Sequence, residues 1–138
     1  MKPLIATAAL LTVLTSFPGQ ARSVDRDENR SEIFADMCRR GVAASEGDKN
    51  YLPDQDHVLN FAMDLGDCYG YIRGFIDGHN MTADHPGNHK QFCVPSGVSN
   101  IELAKVVIKA ANDRPDIGHT PRETLVEYAF KLTWPCDA

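Results

Sequence analysis

The sequence predicts an all-α fold, a small disulfide-stapled bundle of about four helices. Three observations carry that prediction. Apolar residues recur at the 3.6-residue period in four separate stretches, each bounded by capping or breaking residues. No stretch of any length alternates apolar and polar residues as a half-buried strand would. Four cysteines, Cys38, Cys68, Cys93 and Cys136, form an even set in a chain of 138 residues, which in a small exported protein reads as two disulfides.

Export is read from the first residues. Lys2 precedes the apolar run Leu4 to Leu14, and Pro18-Gly19-Gln20-Ala21 places small residues at the spacing of a cleavage site, so residues 1–21 are expected to be a secretory signal peptide. The run is too short for a membrane span, and no later stretch is apolar enough for one. The formal net charge is −5, and cleavage removes Lys2 without removing an acid. Such a chain is not expected to bind nucleic acid or an anionic membrane; a basic partner surface suits it better. Residues 22–30, RSVDRDENR, carry one apolar side chain and are expected to be a flexible lead-in to a single domain over 31–138.

The first helix is predicted from about 31 to 45, on Ile33, Phe34, Met37, Cys38 and Val42, with Ser31 or Asn29 as its cap. The polar stretch Ser45 to Asn50 ends it, and Pro53 blocks an early restart. The second helix is predicted over about 56–80, capped by Asp54 or Asp56. Val58, Phe61, Ala62, Leu65, Cys68, Tyr69, Ile72, Phe75, Ile76 and His79 share one of its faces. Beside that face, Gly66, Gly70, Gly74 and Gly78 recur at i+4 spacing and make a flat strip for close packing, either within one chain or against a second copy. Met81 to Gln91 has no apolar period and reads as an exposed loop.

Ser99-Asn100-Ile101-Glu102 is a capping box opening a third helix over about 99–112. Its apolar face, Ile101, Leu103, Ala104, Val106, Val107, Ile108, Ala110 and Ala111, is broad enough for burial on two sides. Thr120-Pro121-Arg122-Glu123 is read as a second capping box, opening a fourth helix over about 121–133 that buries Leu125, Val126, Tyr128, Ala129, Phe130 and Leu132.

A short loop joins the third and fourth helices, so they should form an antiparallel hairpin. Cys93 lies just before that hairpin and Cys136 just after it, and in an antiparallel pair those points are neighbours. Cys93–Cys136 is therefore expected, and Cys38–Cys68 follows by elimination. Each closure is worth about 4 kcal/mol on the loop-entropy model.

Little in the chain suggests catalysis. The cysteines are committed to disulfides and no Gly-x-Ser-x-Gly turn occurs, so a nucleophilic enzyme is not expected. Asp64, Asp67 and Asp77 read as solvated acids. His79, His85 and His89 gather with Asp77 and Asp84 near the loop, but their spacing matches no zinc pattern, so neither a metal nor another cofactor is expected.

Three segments, CYGYIRGFIDG from Cys68, FCVPSGVSNIELAKVVIKAANDRP from Phe92 and HTPRETLVEYAFKLTWPC from His119, resemble the Rap/Tai family of immunity proteins. The most specific parts are Cys-x-Gly-Tyr-Ile-x-Gly, Cys-x-Pro-x-Gly-Val and the terminal Trp-Pro-Cys. The resemblance implies a periplasmic helical protein, often a homodimer, that has no catalytic residues. It implies protection against a type VI secretion peptidoglycan amidase, whose active-site cleft the protein fills.

Physical criteria alone nominate the inhibitory surface: an exposed loop on a rigid base, carrying acids or histidines. Asp113, Arg114, Asp116, Ile117, Gly118 and His119 form the preferred candidate, because a short loop between two helices loses little entropy on binding. The longer loop from Asp84 to Lys90 is the second. A different class of function also fits the composition: an acid-stress holdase chaperone whose dimer comes apart as carboxylates and histidines protonate.

Overall fold

The computed structural model describes residues 30–48 and 58–136. They form four helices, α1 (Ser31–Ser45), α2 (Val58–Ala83), α3 (Asn100–Asp113) and α4 (Arg122–Thr133), with a 3-10 turn over Pro115–Ile117. The expected signal peptide, most of the lead-in and the Asp54 or Asp56 cap lie outside the described residues.

Helix α1 is central and packs most extensively on α2 and α3, while α3 and α4 form the antiparallel hairpin. Phe34, Ala35, Cys38 and Val42 of α1 meet Cys68, Ile72 and Ile76 of α2, Leu103, Ala104, Val107 and Ala110 of α3, and Leu125, Val126, Ala129 and Phe130 of α4. Phe92, from the connector between α2 and α3, completes this core. Burying each large apolar side chain contributes about 1.5–3 kcal/mol relative to leaving it in water.

Both disulfides form: Cys38–Cys68 with Cα atoms 5.2 Å apart and Cys93–Cys136 with Cα atoms 4.9 Å apart. The first staples α1 to the middle of α2. The second closes the open end of the hairpin, where Cys93 N–H also donates to Trp134 O at 2.8 Å.

Helix ends follow local chemistry in two places. Gly47, at φ 79°, takes the left-handed conformation after α1; Gly47 N–H then donates to Ala44 O and Asp48 N–H to Ala43 O, a Schellman closure. At α3, Ser99 Oγ accepts from Glu102 N–H while Ser99 N–H donates to the Glu102 carboxylate. That capping box is as read from sequence.

Elsewhere the structure corrects the reading. The Thr120 capping box does not form, because Thr120 Oγ1 donates to Ile117 O at 2.7 Å and Pro121 occupies the N-cap of α4 without a side-chain cap. Ser31 is not the cap of α1 but its first helical residue, only 1% exposed. Its hydroxyl reaches across to Thr120 O and Pro121 O, each at 3.0 Å. Helix α2 continues to Ala83, past the expected end near 80, with Thr82 Oγ1 donating back to Gly78 O. Leu132 and Ala62, expected in the core, are exposed, since each lies at the edge of its apolar face with no described element packed over it.

The glycine strip faces outward. An ideal Cβ built on Gly66, Gly70, Gly74 or Gly78 meets no described atom beyond the helix itself within 4 Å. Close approach occurs instead at buried Gly41 of α1, where a Cβ would stand 2.8 Å from Leu65 Cδ1 and 3.6 Å from Leu65 Cα. The absent side chain at Gly41 is what lets α1 and α2 cross this closely.

Candidate interaction surfaces

Two surface features have the form of a recognition site. The first is the turn between α3 and α4. Arg114 ends α3, and Pro115–Ile117 tightens into the 3-10 turn because proline presets the required φ. The turn is sewn to the start of α1: Glu32 N–H donates to Gly118 O at 2.9 Å and Ser31 N–H to Thr120 O at 2.8 Å. Gly118 has little room for a side chain, since its Cβ would approach Pro115 O at 3.2 Å and Glu32 Cβ at 3.4 Å.

Of the six residues nominated from sequence, Arg114, Asp116 and His119 are brought together. Arg114 Nε and Nη2 donate to the two oxygens of Asp116, both at 2.7 Å, and its guanidinium lies 5.2 Å from the Tyr128 ring centroid. The hydrogen bonds from Arg114 hold the Asp116 carboxyl below its ordinary range, and the nearby His119 acts in the same direction. The same fork raises the Arg114 pKa, with Tyr128 adding to it. Asp113 points elsewhere and pairs with Lys109. Ile117 packs on the core. Behind the turn is a pocket of about 280 Å³, walled by Glu32, Asp36, Arg39, Arg114, Ile117 and Leu125 among others.

The second feature is a wider groove of about 750 Å³ between the C-terminal half of α2 and the loop after it. Gly74, Gly78 and Thr82 line one side, Asn88, His89 and Gln91 the other, and Phe75, His79 and Phe92 the base, with Glu127 of α4 at one edge. His79 stacks on Phe92 with centroids 3.9 Å apart, and its Nε2 accepts from Gln91 N–H at 3.2 Å. Phe75 and Phe92 at the groove's base belong to a packed aromatic run that continues beneath it, Tyr71, Phe75, Phe92 and Phe130 following one another. The loop from Asp84 to Lys90, the second candidate surface from sequence, supplies one wall of this groove, while α2 and Glu127 of α4 supply the others through tertiary packing that spacing does not reveal.

Sequence reading also passed over Arg122. Its guanidinium lies 4.0 Å from the Tyr71 centroid and 5.8 Å from that of Phe34. Burial raises the Tyr71 pKa first, and Glu123 raises it further against the opposing effect of Arg122. Tyr71 lies in α2 and Arg122 opens α4, so no local signal in the sequence pairs them.

Among the described residues, no group of three or more His, Cys, Asp or Glu side chains is placed to share a metal ion. None of the described helices is long and apolar enough to cross a membrane. In comparison with known proteins, a family model described as "Rap1a immunity proteins" matches residues 31–136. No curated protein and no solved structure matches the chain.

Proposed function

The chain belongs to the Rap1a immunity protein family, and from that premise we propose that it is a periplasmic, non-enzymatic inhibitor that neutralises a type VI secretion peptidoglycan amidase by occluding its active site. The single observation that carries this reading is the family match over residues 31–136, which takes in all four helices and both disulfides. Two disulfides suit an oxidising compartment such as the periplasm, which would be reached by export on a signal peptide cleaved after Ala21.

The α3–α4 turn, with Asp113, Arg114, Asp116, Ile117, Gly118 and His119, is the surface proposed to enter the cleft. Its backbone bonds to α1 support that choice, since a turn already held in place loses little entropy on docking. Function as a homodimer belongs to the same proposal.

The test is direct. The exported protein is mixed with an amidase encoded beside it, and peptidoglycan hydrolysis is followed as inhibitor is added. Stoichiometric loss of hydrolysis is the expected result. Full activity at excess inhibitor, together with no increase in sensitivity of a deletion strain to attack by sister cells, would reject the reading.

A further inference from the structure

The two disulfides sit in different surroundings. Cys38 and Cys68 are each 0% exposed, enclosed between α1 and α2. Cys93 is exposed and Cys136 half-buried, at the surface end of the α3–α4 hairpin. Thiol–disulfide exchange needs a thiolate to reach one sulfur of the bond. Native protein therefore offers that access at Cys93–Cys136 and withholds it at Cys38–Cys68.

The accessible bond also has a mechanical role. One residue before Cys93, Phe92 is buried beneath His79 and against Phe130, and together with Gln91 it lines the groove of about 750 Å³. The connector is held there by the Phe92 side chain, the Gln91 N–H to His79 bond, the Cys93 N–H to Trp134 O bond and the disulfide. Only the disulfide among these is covalent. Opening it leaves the groove wall tied by non-covalent contacts alone: the Phe92 side chain, those two hydrogen bonds and the bond from Asn88 Nδ2 to Thr82 O at 2.9 Å.

We propose that Cys93–Cys136 is a redox-sensitive latch on the groove: a dithiol reductant opens it and loosens the 84–93 wall, while Cys38–Cys68 keeps the bundle folded. The dithiol thiolate attacks Cys93 Sγ, the Sγ–Sγ bond breaks, and Cys136 leaves as a thiolate. The second thiol of the reductant then displaces Cys93 and closes a cyclic disulfide. Two electrons and two protons pass from the dithiol to Cys93 and Cys136, which end as thiols.

The experiment uses the oxidised protein in dithiothreitol without denaturant, with N-ethylmaleimide labelling mapped by peptide mass. Cys93 and Cys136 are expected to label at least about tenfold faster than Cys38 and Cys68, with helical circular dichroism retained. Amide exchange at Gln91 and Cys93 should accelerate by a similar factor while Ile72 and Val107 stay protected. Equal labelling of all four cysteines, labelling only alongside loss of helicity, or unchanged exchange at 91–93 would each overturn the proposal. The C93S/C136S double variant should reproduce the accelerated exchange without reductant. If that variant fails to fold, the labelling ratio and exchange of the wild-type chain still decide.

Discussion

Replacing Gly66, Gly70, Gly74 and Gly78 with alanine should stabilise the protein. Each glycine lies inside α2, where it costs about 0.8–1 kcal/mol relative to alanine. A methyl at each position meets no described atom beyond the helix within 4 Å, so no packing penalty opposes the gain. One substitution should add about 1 kcal/mol and raise Tm by about 4 °C in a domain of this size. The four together should add roughly 3 kcal/mol, allowing for fraying and partial coupling along one helix. Urea unfolding monitored by circular dichroism measures this, with an unchanged m value confirming the same transition. Gly41→Ala is the control. Its methyl would crowd Leu65 Cδ1 at 2.8 Å, the far end of a movable side chain, so the propensity gain should be largely cancelled. Gly41→Leu should lose about 1–3 kcal/mol by overpacking. A lower midpoint for the quadruple variant in dilute solution would refute the outward-facing strip. A gain in dilute solution that shrinks as concentration rises would instead place a second copy against it.

Other perturbations test other joints. Ser31→Ala leaves the Pro121 carbonyl without the buried hydroxyl at 3.0 Å and should lose about 1–2 kcal/mol by thermal melt. Cys93→Ser with Cys136→Ser should lose up to about 4 kcal/mol on the loop-entropy model for a separation of 43 residues, read as a shift in the urea midpoint. The Asp116 carboxyl is lowered by its hydrogen bonds from Arg114, and the Glu102 carboxyl by the Ser99 amide and then the Ser99 hydroxyl. Their contribution is therefore complete above the unfolded carboxylate range and fades as pH falls from about 4 through the lower folded values. Arg114→Ala should flatten that acid limb in a pH series of melts, and Ser99→Ala, which leaves the Ser99 amide on Glu102, should flatten it less. Arg114→Ala with Asp116→Ala should weaken amidase inhibition about tenfold if the turn is the docking element, with helical content unchanged because both side chains are exposed at the surface.

Local chemistry decided much of this protein in advance. Four apolar periods determined four helices, because burying one stripe per helix is the only way such segments leave water. The capping box at Ser99 was legible because both partners lie within one turn of sequence. The pairing of cysteines was legible because a short α3–α4 connection leaves an antiparallel hairpin with adjoining ends. The Thr120 box failed because the Thr120 hydroxyl donates within its own turn, to Ile117 O three residues back, while its carbonyl accepts from Ser31 across the fold. The nominated turn was visible as polar residues between two caps, yet the Arg114–Asp116 fork and the divergence of Asp113 toward Lys109 depended on how α3 ends.

The sequence by itself determined the helices, their order, the disulfide framework and the family resemblance, all of which rest on period, short spacing and residue type. Only the tertiary structure decided which glycine serves close packing, which disulfide stands in solvent, and which walls face across the groove. Those depend on where a neighbouring helix ends, and i+4 spacing on one helix carries no information about what lies beyond it.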